Sequence, residues 1–219
     1  MKPRLLPLGD SALLVQFGDE IDPEVNQRVH ALDALLHAGR PTGVIETVPA
    51  YATLLVYYDP LLLTYAEASD WVNVEMDKVK SAASRKPRRI EVPVRYGGEH
   101  GPDLGFVASY HHLDVQEVPR IHTSRTYVVY MMGFTPGFAY MGKLDDLIAT
   151  PRLETPRTHV AAGSVGIAGA QTGVYPIDSP GGWRLIGRTE LQLFNPRADQ
   201  AFLFSPGDTV QFVQEALDA

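Results

Sequence analysis

The sequence predicts an α+β protein of two domains, a small α/β domain followed by a β-barrel. Three observations point there. Long amphipathic helical periods are confined to the N-terminal part of the chain. From Thr126 onward the chain is a succession of short β runs broken by Gly/Pro turns. And 219 residues are enough for two domains that each bury a core. The cut is expected near the Lys86-Pro87 step, giving domains 1–87 and 88–219.

The elements follow in order. Leu13, Val15 and Phe17 share one face of a period-two run, a strand with a core side. Asp22 is a good N-cap with Pro23 at the first helical position; Val25, Val29, Leu32 and Leu36 then recur at helical spacing until Gly39 supplies a stop. GVIETVPAY (43–51) and ATLLVYYD (52–59) read as a hairpin. Thr64 and Glu67 form a capping box opening a second helix with Ala68, Trp71, Val72 and Val79 on its face. A further strand, RIEVPVRY (89–96), completes a β-α-β-β-α-β order, the split β-α-β of ferredoxin-like sandwiches, and it either closes the first domain or opens the second.

In the second half, PDLGFVASYHH and DVQEVPRIH read as short helices, the latter opened by Asp114 and Glu117 and kept short by Pro119. The β runs are TYVVYMMG, WRLIGRT, LQLF, AFLF and TVQFV.

Composition excludes several functions. A net charge of −7 argues against nucleic-acid binding; the basic run RKPRR, Arg85 to Arg89, is short, holds a proline and reads as a linker or strand entry. With no cysteine there is no disulfide, thiol nucleophile or Cys–zinc site. Pro7, Gly9, Asp10 and Ser11 interrupt what a signal peptide would need as an apolar run, and no stretch reaches the length of a membrane span. No membrane contact and a cytoplasmic location are expected.

Ten of the 19 glycines fall between Gly133 and Gly187, so the backbone there needs unusual torsions or close approaches. No G-x-x-x-x-G-K-[ST] occurs. Gly163, Gly166, Gly169 and Gly173 have the wrong spacing for a dinucleotide fingerprint and precede prolines rather than a helix. Two readings stand: tight barrel corners, or a small-molecule pocket, since Phe134, Phe138, Tyr140, Tyr175 and Trp183 lie among the glycines with the donors Arg152, Arg157, Gln171, Thr172 and Arg184. His111 and His112 are adjacent, no H-E-x-x-H occurs, and no metal site is expected. His159 is the one weak catalytic candidate; Asp145, Asp146 and Asp178 beside turns read as solvated caps.

The segment Gly133 to Thr189, with "GFTPGFAYMGKLDDL" and "AAGSVGIAGAQTGVYPIDSPGGW", resembles the allophanate hydrolase subunit 1 family, which includes the 5-oxoprolinase B subunit and KipI and has the carboxyltransferase C/D type of domain. "YGGEHGPDLGFVA" (96–108) and "PLGDSALLVQFG" (7–18) resemble it too. Met131, Met132 and Ala161 depart from its commonest pattern without removing a polar group.

The resemblance implies a cyclophilin-like second domain and ATP-dependent opening of 5-oxoproline to glutamate. It also implies partners, a KipA-like C subunit and a LamB/YcsF-like A subunit, with ATP and Mg used by the complex and neither held by this chain alone. The alternatives it implies are a KipI-like inhibitor of a sporulation histidine kinase and a component of an allophanate hydrolase or urea carboxylase system. Under this reading Arg157 or Arg152 contacts an anion, Gln171 and Thr172 donate to a carbonyl or phosphoryl oxygen, and Phe138, Ser164, Tyr175 and Trp183 line the pocket. The backbone N–H groups of the glycines at 163, 166, 169 and 173 would face the ligand.

Overall fold

The computed structural model describes residues 3–79 and 87–218. The chain divides into two compact units, Met1–Lys86 and Pro87–Ala219, against an expected cut after Pro87. Arg85 and Lys86 of the basic run lie outside the described residues.

The first unit contains β1 (Arg4–Pro7), β2 (Ala12–Gln16), α1 (Pro23–Ala38), β3 (Val44–Pro49), β4 (Thr53–Tyr58) and α2 (Tyr65–Lys78). Both helices start where local chemistry dictates. The Asp22 carboxylate accepts the N–H groups of Glu24 and Val25 at 2.8 and 2.9 Å, satisfying donors that the first turn leaves unpaired. At α2 the Glu67 N–H reaches the Thr64 hydroxyl at 3.3 Å while the Glu67 carboxylate accepts the Thr64 N–H at 2.8 Å, a complete capping box. Val29, Leu32 and Leu36 of α1 and Ala68, Val72 and Met76 of α2 pack on Leu13, Val15, Leu54 and Val56 of the sheet. Each large aliphatic side chain so buried is worth about 1.5–3 kcal/mol.

The sheet order is β1-β2-β4-β3, antiparallel throughout. Strands β2, β4 and β3 hold the places of the first three strands of a ferredoxin-like sheet. The fourth place is filled by β1, whereas the sequence offered residues 89–96 for it. The reason is local: β1 needs only the Leu8–Ser11 turn, with Gly9 at φ 70°, to fold back on β2, while the later strand is claimed elsewhere.

That strand, β5 (Arg89–Gly97), belongs to the second unit. It is followed by α3 (Leu104–Tyr110), α4 (Glu117–Thr123), β6 (Thr126–Met132), β7 (Ala139–Gly142), β8 (Arg157–Val160), β9 (Ser164–Ala168), β10 (Gln171–Val174), β11 (Ser179–Gly181), β12 (Arg184–Arg188) and β13 (Thr209–Asp218). Seven strands close a barrel in the order β10-β7-β6-β13-β5-β12-β9, and β8 pairs with β11 in a separate ribbon. β13 runs parallel to β5 along the whole of β5, from Thr209 opposite Arg89 to Asp218 opposite Gly97. The runs LQLF and AFLF shrink to a single bridge between Phe194 and Phe202. α4 is short, but Pro119 sits in its first turn, where a missing N–H is tolerated, and the helix continues past it to Thr123; of its expected capping pair, the Asp114 N–H reaches the Glu117 carboxylate at 3.0 Å, and no side chain caps the helix itself.

The barrel interior is filled by Val92, Val94, Tyr96, Val129, Met141, Val165, Ile167, Ile186 and Phe212, among others. Buried polar groups are also built into this unit. Arg88, from the basic run, pairs with the fully buried Asp208 at 2.5 Å, and Asp208 also accepts the Ser205 N–H at 2.9 Å. That hydrogen bond with Asp208 raises the pKa of Arg88 above its usual value. Deeper in, His122 is wholly enclosed: the Tyr96 hydroxyl lies 2.7 Å from its Nδ1 and the Thr172 hydroxyl 2.9 Å from its Nε2.

Candidate functional site

The aromatic residues flagged by the sequence converge in three dimensions. Phe138, just before β7, is buried and forms edge-to-face contacts with Tyr140 at 4.9 Å, Tyr175 at 5.2 Å and Trp183 at 5.4 Å between centroids. Phe134, in the β6–β7 turn, meets Phe138 at 5.6 Å and Tyr175 at 6.5 Å. Such pairs are worth about 0.5–1.5 kcal/mol each beyond burial. Burial raises the Tyr175 hydroxyl above its usual pKa, offset in part by a hydrogen bond to the Trp183 backbone.

The glycines explain how these rings fit. A Cβ on Gly166 would stand 3.1 Å from Trp183 Cβ, one on Gly173 would stand 2.8 Å from the Ala139 carbonyl and 3.2 Å from Phe138 Cζ, and one on Gly181 would enter the Tyr175 ring. Their missing side chains are the space the aromatics occupy. The N–H of Gly163 donates to the Tyr175 carbonyl at 2.7 Å and that of Gly169 to the Thr150 carbonyl at 2.8 Å. The expected row of glycine amides facing a ligand is therefore corrected at Gly163 and Gly169, whose amides are committed to backbone carbonyls, while Gly166 and Gly173 seat protein side chains.

Beside the cluster opens a cavity of about 450 Å³, walled by Met132, Phe134, Pro136, Phe202 and Phe204 and by the hydroxyl residues Thr135 and Ser205. Phe134 holds a φ of 68°, rare for a residue with a side chain, and leaves its ring 59% exposed at the mouth.

A charged constellation lies at β12. Asp103, at the start of α3, is buried; one carboxylate oxygen takes Arg157 Nη2 at 2.9 Å and the other takes the Leu185 N–H at 2.7 Å. Arg184 Nη1 stands 4.0 Å from the same carboxylate, and its guanidinium stacks 3.7 Å from the Phe106 ring centroid.

Phe138, Tyr175 and Trp183 thus come together as expected, and Arg157 reaches their edge through a 3.5 Å contact with the Trp183 carbonyl. Arg152 is exposed in a loop whose Leu153 N–H donates to the Gly182 carbonyl at 2.7 Å. Gln171 is half-buried on β10 opposite Ala168. Two expectations are corrected. Thr172 is fully buried in the barrel, where its hydroxyl donates to the Gly166 carbonyl at 3.1 Å and meets His122, so it has no proton for a ligand. Ser164 is buried on β9, with its carbonyl accepting the Tyr175 N–H at 2.9 Å, a barrel position and not a pocket one.

His159 is 67% exposed and its Nε2 sits 3.2 Å from Asp178, which is 65% exposed. The Ala162 N–H first and His159 second hold the Asp178 carboxylate below its usual pKa. Ser179, the neighbouring hydroxyl, is buried opposite Val160 and among the described residues makes no hydrogen bond to the exposed His159 or Asp178, so the structure does not show these three assembled as nucleophile, base and orienter. Sequence reasoning missed Asp103, His122 and Phe106. Asp103 carried one usable signal, an acid placed directly before a helix among glycines, but that pattern reads as a cap.

Residues 3–204 match the family described as carboxyltransferase domain, subdomain C and D. The chain is 52% identical over 219 residues to the 5-oxoprolinase B subunit of Escherichia coli O157:H7, covering 98% of this chain and 97% of that one. It is 44% identical over 218 residues to the 5-oxoprolinase B subunit of Bacillus subtilis (strain 168), covering 94% and 90%. Among solved structures, TTHA0988 superposes with a TM-score of 0.81 at 36% identity; the match covers 93% of this chain but spans only 39% of that longer one. The urea amidolyase of K. lactis shares the fold, with a TM-score of 0.78 at 20% identity over 98% of this chain and 15% of its own. Barrel, cluster and near full-length likeness agree: this chain belongs to the carboxyltransferase subdomain C and D family, together with proteins named as B subunits of 5-oxoprolinase.

Proposed function

We propose that this chain is the B subunit of a 5-oxoprolinase, acting in the cytoplasm with its KipA-like and LamB/YcsF-like partners to open 5-oxoproline to L-glutamate at the expense of ATP. The observation that carries the reading is the 52% identity, over nearly both full lengths, to a protein of that name. The reaction breaks the ring C–N bond of a lactam; water supplies oxygen to the carbonyl carbon and the nitrogen leaves as an amine. Amides resist water at neutral pH, which is the chemical reason for coupling to ATP.

The glycine-rich segment of this chain lacks the pattern of a phosphate-binding loop. Of the four glycines that could have cradled phosphates, Gly166 and Gly173 are packed against Trp183, Phe138 and Tyr175. Among the described residues, no group of three or more His, Asp or Glu is placed to hold a metal ion. These features support a reading in which ATP and Mg are used at the level of the complex. What the chain offers a small ring compound is an aromatic wall, a neighbouring apolar cavity and cationic groups at its edge.

The test is reconstitution. The chain co-purified with its two partners should hydrolyse 5-oxoproline only when ATP is present, and each of the three proteins by itself should be inactive. ATP-independent turnover by this chain alone, or a complete complex inert toward 5-oxoproline, would refute the reading.

A further inference from the structure

Two arginines approach Asp103, and its carboxylate is already spent on one of them. Its two oxygens are taken at 2.9 Å by Arg157 Nη2 and at 2.7 Å by the Leu185 N–H. Arg184 stays beyond hydrogen-bond reach at 4.0 Å, so a single negative charge faces two positive ones.

Arg184 is nevertheless held still. Its Nε donates to the Pro151 carbonyl at 3.2 Å, and its plane lies on the Phe106 ring, which in turn stacks on Tyr110 at 6.0 Å. Its side chain is only 15% exposed. Among the described residues the Nε bond is the one hydrogen bond made by this guanidinium. The outer N–H groups are left without a protein acceptor on a fork whose orientation is fixed in advance. A guanidinium that is anchored, stacked and partly dehydrated, with its fork free, matches a carboxylate in a bidentate way and loses little freedom on binding it.

We propose that Arg184, not Arg157 or Arg152, is the residue that recognises the carboxylate of the substrate, with Phe106 and Pro151 setting the plane of its fork. This rests on the function proposed above, in which the substrate is a lactam bearing one carboxylate. Asp103 is then a positioning residue: by spending its charge on Arg157 it leaves Arg184 as the open cation, and by accepting the Leu185 N–H it fixes the start of β12.

Two measurements test this. In the full-length chain, the Arg184 Nε–H resonance should shift on titration with 5-oxoproline and not with its neutral carboxamide. In the reconstituted complex, Arg184→Ala should raise KM for 5-oxoproline roughly 10- to 100-fold with a smaller change in kcat, the loss expected for a hydrogen-bonded charge. The variant's preference for acid over carboxamide should fall by a similar factor. Arg184→Lys, which keeps the charge and loses the fork, should fall between, and it guards against a folding defect in the alanine variant. An acid and amide that shift Arg184 alike, or a KM within twofold of wild type in both variants, would overturn the assignment. An acid-specific shift in a chain whose complete complex never turns over 5-oxoproline would leave this site standing and remove the function.

Discussion

Acidification should weaken the barrel through one residue. The Thr172 hydroxyl has a single proton, which it gives to the Gly166 carbonyl, so it accepts from His122 Nε2–H; Nδ1 is left to accept from the Tyr96 hydroxyl. The imidazole is thereby neutral and fully satisfied, and burial lowers its pKa to about 3. In the unfolded chain it titrates at about 6.5. Between those values the unfolded state binds one more proton, so stability is intact above about pH 6.5 and falls by about 1.4 kcal/mol per pH unit below it. From pH 7 to 5 the loss is about 2 kcal/mol, a window above the titration of the carboxylates. Urea melts followed by Trp183 fluorescence in a Trp71→Phe background should show this loss. His122→Gln, less stable at pH 7 by about 1–3 kcal/mol because Tyr96 loses its acceptor, should lack the pH-dependent part. An equal loss in both proteins over this interval, or an imidazole that titrates above pH 5 by NMR, would refute the reasoning.

Two glycines should respond for different reasons to the same substitution. Gly181→Ala drives a methyl to 2.8 Å from ring carbons of Tyr175 and should cost about 1–3 kcal/mol or more in thermal melts, with near-UV signals of the cluster changed. Gly169→Ala meets nothing within 4 Å, so only its φ of 53° opposes it, at about 1–2 kcal/mol and with the cluster signals intact. Asp208→Ala strands Arg88 and the Ser205 N–H and should lower stability by about 2–3 kcal/mol, toward the low side for a broken buried pair because Arg88 is 38% exposed and water can reach it. A chemical melt within 0.5 kcal/mol of wild type, the usual range for surface substitutions, would show that the pair is inert.

What could be read from the sequence was what short-range chemistry decides. Asp22-Pro23 and Thr64-x-x-Glu67 mark their helices because the groups that cap a first turn lie within three residues of it. The β3–β4 hairpin is legible for the same reason, its strands being neighbours in the chain. Pairing of β5 with β13 was not, since Arg89 and Thr209 lie far apart in sequence and nothing near either strand names the other. β1 escaped because a four-residue run ending in Pro7 carries too short a pattern to register. His122 was passed over for His159 because position in the chain does not reveal enclosure: a histidine on a seven-residue helix is surrounded only once Tyr96, Thr172 and Phe212 arrive from three different strands.

The same limit governs the candidate site and shows what the glycine-rich segment is for. A dense set of glycines signals that something comes close to the backbone, and the sequence cannot say whether that something is a ligand or the protein itself. Here Gly166, Gly173 and Gly181 are each met by an aromatic ring from their own chain. Filling those hollows from within has a chemical consequence. It fixes Trp183 and, with Asp103 holding the Leu185 N–H, the entry to β12 on either side of Arg184. A cation carried on a mobile loop would have to be ordered by each ligand it bound, and that ordering would be subtracted from affinity. Placed between a ring cluster and a saturated carboxylate, Arg184 is ordered by folding instead, so the glycines contribute to recognition without touching a ligand.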